Sequence, residues 1–173
     1  MGNISQEANL ILQSYFTVAL ISALSKDKQL LKSEFYKTLN LEPSIRDGID
    51  QIGVDNQGCA LMALYAMLVI PKELLRDRYK TDYDTINTWL STILIDVHTT
   101  YVKSPADYIR HIRNAIAHAK VTFEPSSTIK FEDEDKRNNF TFEAKLQLNS
   151  LGLLLEKLQA IHIRYVQDSH AVV

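Results

Sequence analysis

Apolar residues recur at helical spacing through most of the first hundred positions. Leu10, Leu12, Phe16, Leu20 and Leu24 fall within residues 4–25, which read as a first long helix, and 27–39 as a second. Asn40-Leu41-Glu42-Pro43 breaks the period, and 44–56, with Gly48 and Gly53, reads as a short helix with a turn. Residues 57–70 are apolar nearly all round, the pattern of a central helix buried on every side, and Pro71 stops them. Residues 72–79 continue as a kinked turn. Ile86, Trp89, Leu90, Ile93, Leu94 and Val97 predict another long helix over 81–102.

After Lys120 the period changes to two. Val121 and Phe123, Ile129 and Phe131, then Phe140, Phe142, Ala144 and Leu146 alternate with polar partners, which predicts a small antiparallel sheet. Pro125-Ser126-Ser127 makes its tight turn and 132–139 a longer polar loop, so Glu132-Asp133-Glu134-Asp135 is expected in solvent. The alternation of Phe123, Phe131, Phe140 and Phe142 assigns them to core or dimer packing rather than to a base-stacking platform. Asn149 or Ser150 caps a last helix running to about residue 167. The fold expected is mainly α: one domain over 1–173, a helical bundle with a β-hairpin or small sheet inserted at about 120–147, before the last helix.

Between the long helix and the sheet, Ser104 and Pro105 suit an N-cap and a first helical position, with Asp107 completing a capping pattern. At about 100° per residue, Ala115, Tyr108, Ala119, Ile112, Pro105, Ile116 and Ile109 fall in one arc of roughly 120°, the width of a core-facing stripe. The opposite arc holds Arg113, Ala117, Arg110, Asn114, Asp107, His118 and His111. Two arginines, two histidines, an asparagine and one acid suit an anionic ligand better than an ordinary solvated face. Lys103, Arg110, Arg113 and Lys120 against the single Asp107 concentrate positive charge in a chain whose net charge is −2. A generally basic nucleic-acid coat is thereby excluded, and any RNA contact must be local.

The passage Tyr108-Ile109-Arg110-His111-Ile112-Arg113-Asn114-Ala115-Ile116-Ala117-His118-Ala119-Lys120, with its Arg-Asn-x3-His core, resembles the HEPN superfamily, and in particular a plasmid-associated subgroup. These are compact helical proteins that include many metal-independent ribonucleases of toxin–antitoxin and phage-defence systems. The resemblance implies a cytoplasmic homodimer in which two motif helices build one cleft, with small Ala117 letting the backbones approach. It also implies endoribonuclease chemistry: the RNA 2′-hydroxyl attacks the adjacent phosphate, leaving a 2′,3′-cyclic phosphate and a 5′-hydroxyl. Histidine, which titrates near neutral pH, makes His118 the proton-transfer residue. Arg113 would hold the phosphate, Asn114 would orient the phosphate or the histidine, and Arg110, His111 and Lys120 would extend the phosphate site. The alternative is a HEPN dimer that binds RNA, a nucleotide or a protein without cutting. An antitoxin covering the cleft is a further expected partner.

Other chemistry finds little support. No histidine pair has zinc-ligand spacing with cysteine, the acidic run lacks a calcium loop's spacing, and no cofactor or metal is expected. His162, between Ile161 and Ile163, reads as a packed or bonded structural residue, His98 as part of a core helix, and His170 as tail. Gly-rich phosphate loops, Ser-His-Asp sets and HExxH motifs are lacking. A lone Cys59 among apolar neighbours reads as a buried structural thiol. The longest apolar run, from Cys59 to Ile70, is too short to span a bilayer, so the chain is expected to be soluble with no membrane partner.

Overall fold

Local capping chemistry sets where the first helices begin and end. A computed structural model describes residues 6–26, 30–54, 56–100, 106–135 and 140–170. Helix α1 spans Gln6–Lys26. After a 3-10 turn at Leu30–Lys32 comes the short α2, Glu34–Thr38, where the Tyr36 N–H donates to the Ser33 hydroxyl at 3.1 Å. Helix α3, Pro43–Ile52, starts on its proline and stops at Gly53, whose φ of 78° lies where only glycine is at ease. Thus the expected second helix is short, and the region with the two glycines is a full helix.

Helix α4, Gln57–Leu64, is capped by Asn56, which accepts from the Cys59 N–H at 3.1 Å, and runs on as a π turn over Tyr65–Val69. Pro71 has no N–H to offer the carbonyl four residues back, which belongs to Met67. His162 Nε2 stands 3.1 Å from that oxygen. The histidine, 1% exposed, is the bonded structural residue expected from its apolar neighbours. The α4 segment is not buried all round: Met62 is 60% and Tyr65 46% exposed, and Cys59 is only half-buried. Helix α5 covers Lys72–Arg78 and α6 covers Lys80–Ile93.

The chain then departs from its helical period. Leu94 turns extended, and β1, Ile95–Thr99, pairs antiparallel with β4, Phe140–Gln147. Ile95, Val97 and Thr99 alternate with polar residues, and an open edge of β4 needs hydrogen bonds that only a strand can supply. His98 therefore lies exposed on this edge strand rather than in a core helix. Between β1 and the last strands runs helix α7, Tyr108–Ala117. Strand β2, Val121–Glu124, turns through Pro125-Ser126-Ser127 into β3, Thr128–Asp135, giving the order β1-β4-β3-β2. The acidic run expected in a loop is strand: Asp133 pairs with Phe142 and Asp135 with Phe140. Residues 136–139 lie outside the described ones.

Ile129, Phe131, Phe142, Ala144 and Leu146 fill the sheet's inner face, so the phenylalanine alternation does mark core. The outer face is charged, with Lys130 against Glu132 at 3.1 Å and Lys145 between Asp96 and Glu124 at 3.3 and 3.4 Å. Helix α8, Leu148–His170, closes the bundle, and α7 lies against β3, the π turn and α6. One hydrophobic cluster joins α1, α4 to α8 and the sheet in a mainly α fold. Among the described residues no single helix is long and apolar enough to cross a membrane.

Burial holds the His162 imidazole below its ordinary value, against a smaller upward pull from the Met67 carbonyl. The unfolded chain takes up a proton near pH 6.5 that the folded chain refuses. Stability from this group is therefore complete above that pH and lost as the pH falls below it. His162→Gln keeps a donor for Met67 but does not titrate. Its melting temperature is expected to fall less than that of the unaltered protein between about pH 7 and 5; equal slopes in thermal unfolding would refute the assignment.

Candidate active site

Helix α7 is pinned at both ends. At its start the cap is Asp107, which accepts the Arg110 N–H at 3.2 Å, pairs with the Arg76 guanidinium and takes the Asn87 amide at 3.4 Å. Asn87 Oδ1 in turn accepts the Ile109 N–H at 2.9 Å, so α5 and α6 fix where α7 begins. The helix opens three positions later than expected from Ser104 and Pro105, which, with Lys103, lie outside the described residues. At its end, Ala119 takes a left-handed φ of 54°. The Lys120 N–H then donates to Ala115 O at 2.8 Å and the Ala119 N–H to Ile116 O at 3.2 Å, the paired bonds of a Schellman cap. His118 is thus the C-cap rather than an interior helical residue.

The polar side of α7 is only partly a free surface. The sheet lies across it, and His111 is 3% exposed. Its Nδ1 is 2.8 Å from Asp133 Oδ2, and its ring sits 4.6 Å from Phe142 and 4.9 Å from Phe140. Asn114 Nδ2 donates to the same Asp133 oxygen at 3.1 Å, and Asn114 Oδ1 accepts from the Arg113 guanidinium at 3.2 Å. Burial pushes the Asp133 carboxyl up, but the His111 and Asn114 bonds, aided by the Arg110 charge, outweigh it and hold the carboxyl below its ordinary value.

Three of the residues named from sequence, Arg113, Asn114 and His111, are therefore joined through Asp133. His118 and Arg110 are exposed; among the described residues no hydrogen bond or ion pair engages the His118 imidazole. Lys120 is half-buried and tied to Glu134 at 2.6 Å. Asp133 is the residue that sequence reasoning missed. Its inward position in the alternation after Ile129 and Phe131 was the available signal, masked by acids on either side.

Two hollows border α7. A cleft of about 770 Å³ is lined by Arg76, Lys80, Tyr83, Asn87, Asp107 and Arg110. An apolar groove of about 410 Å³ lies between Leu61, Met62 and Tyr65 of the α4 segment and Ile116, Ala119 and Val121. Among the described residues no three histidines, cysteines or acids are arranged to hold a metal ion.

Fold and site together define a mainly α-helical protein in which an Arg-Asn-x3-His helix is backed by a small sheet inserted before the last helix. The chain belongs to the HEPN pEK499 p136 family, whose model matches residues 1–169. No curated protein and no solved structure matches it.

Asp107→Ala removes an N-cap and an ion-pair partner together. It should cost roughly 1–2 kcal/mol in urea unfolding; an unchanged midpoint would show that α7 is positioned by packing alone.

Proposed function

We propose that the protein is a metal-independent endoribonuclease, acting as a homodimer in a toxin- or phage-defence-like role. The observation that carries the reading is the contrast within one motif: Arg113 and Asn114 are held in a bonded array, while the His118 imidazole at the helix end is exposed and, among the described residues, unengaged. A guanidinium held in place suits phosphate binding, and an accessible imidazole suits proton transfer. The 2′-oxygen of RNA attacks phosphorus as its proton passes to a base, the bond to the 5′-oxygen breaks, and that oxygen receives a proton. Arg113 stabilises the added charge on the phosphoryl oxygens. Two motif faces in a dimer supply two imidazoles, one to take a proton and one to give it. Arg110 beside the cleft extends the anionic path, and Asn114 and His111 serve by orienting.

The apolar groove reaches Ala119, the residue after His118, and exposed Met62 and Tyr65 form its wall. A second copy seated there buries this surface and brings two motif ends together. Met62→Glu should convert the dimer to monomer by light scattering and lower cleavage with it; a dimer retained in that variant moves the interface elsewhere.

The decisive experiment is cleavage of end-labelled total RNA in EDTA with the product ends identified. His118→Ala should lower the rate on the order of 100-fold or more, and Arg113→Ala by roughly 100- to 1000-fold, with melting temperatures nearly unchanged in His118→Ala. Intact RNA from a folded wild-type dimer that still binds RNA would make the protein a binding module instead.

A further inference from the structure

Among the described residues Asp133 is the buried acid, occupying an inward position of β3 that its neighbours Ile129 and Phe131 fill with apolar side chains. We propose that Asp133 is a positioning residue for Arg113, acting through Asn114: the carboxylate from the β insertion sets which way the Asn114 amide points, and so where the guanidinium is held. What the guanidinium is held for rests on the ribonuclease reading above; the holding itself does not.

The direction follows from donor and acceptor chemistry. A carboxylate only accepts hydrogen bonds, whereas an amide donates at one end and accepts at the other. With Asn114 Nδ2 turned to Asp133 at 3.1 Å, Oδ1 is left for the Arg113 guanidinium at 3.2 Å. Turned over, the amide would set oxygen against carboxylate and NH₂ against guanidinium, two repulsions in place of two bonds. Asp133 is itself held, because His111 Nδ1 lies 2.8 Å from the same oxygen and the His111 ring packs against Phe140 and Phe142. The adjacent acids cannot substitute for it. Glu132 and Glu134 occupy outward positions and are engaged by Lys130 at 3.1 Å and Lys120 at 2.6 Å.

The test uses ¹⁵N-labelled full-length protein and side-chain NMR of Asn114 and Arg113, recorded without RNA. In Asp133→Leu, which keeps the size of the side chain but removes the acceptor, the Asn114 amide signals should shift, and rotation of the Arg113 guanidinium should speed up about tenfold, the scale of one lost charge-assisted hydrogen bond. Affinity for a 2′-O-methyl RNA, which cannot be cut, should fall about tenfold as well. Glu132→Gln, on the outer face, should change neither reading. The double variant His111→Phe with Asp133→Leu replaces the buried polar pair by apolar side chains, a change that cores tolerate, and should reproduce the Arg113 effect if Asp133→Leu alone does not fold. Arg113 and Asn114 signals unchanged in a folded variant overturn the proposal, and so does a loss confined to melting temperature. A wild type that binds no RNA overturns the ribonuclease reading, while the RNA-free spectra still decide the role of Asp133.

Discussion

A carboxylate taken out of water must find donors, since an isolated buried charge costs several kcal/mol or more. Asp133 finds two on one face of α7, His111 and Asn114, and this obligation ties the β insertion to the motif helix. The register of β3 against β4 follows from the same demand. A slip of one residue would turn Asp133 out and bring Glu132 or Glu134 in, losing the donors along with the apolar pairing of Phe131 and Ile129. The sheet is therefore bound to the helix by chemistry as well as by burial.

The two ends of α7 are set by different means, and the difference separates holding from reacting. At the start, Asp107 and Asn87 bind backbone N–H groups and link the helix to α5 and α6. At the end, backbone bonds into a left-handed Ala119 stop the helix before His118 can join its interior. Arg113 and Asn114, in the rigid middle, lie in the bonded array; His118 lies where the chain turns away and its side chain meets solvent. The same helix thus offers a fixed cation and an accessible imidazole.

Helix α7 also divides two environments. Its first turn borders the polar cleft with α6, and its last turn borders the apolar groove with the α4 segment. The chain is a member of a HEPN family, and this division leaves its Arg-Asn-x3-His helix with a polar, charged wall at one end and an apolar wall at the other.

The mainly helical class, the inserted sheet, the Pro125-Ser126-Ser127 turn, the phenylalanine core and the motif helix were all legible in the sequence, because each follows from a local period or a turn residue acting within its own segment. Residues 95–99 were not, since Ile95 and Val97 fit a helix or a strand equally well and only the open edge of β4 chose between them. Nor was the boundary at Asp107, which depends on Arg76 and Asn87 arriving from elsewhere in the chain. Composition alone made the acidic run a solvated loop, and a helical wheel alone set His111 on the polar arc; both readings lack the packing of α7 against the sheet, which buries Asp133 and His111 together. Arg113, Asn114 and His118 could be grouped as candidates from the sequence, through their spacing along one segment and the resemblance that it carries. That Asp133 joins Asn114 to His111 was decided by tertiary structure, because a buried carboxylate and its donors meet only when strand and helix pack together.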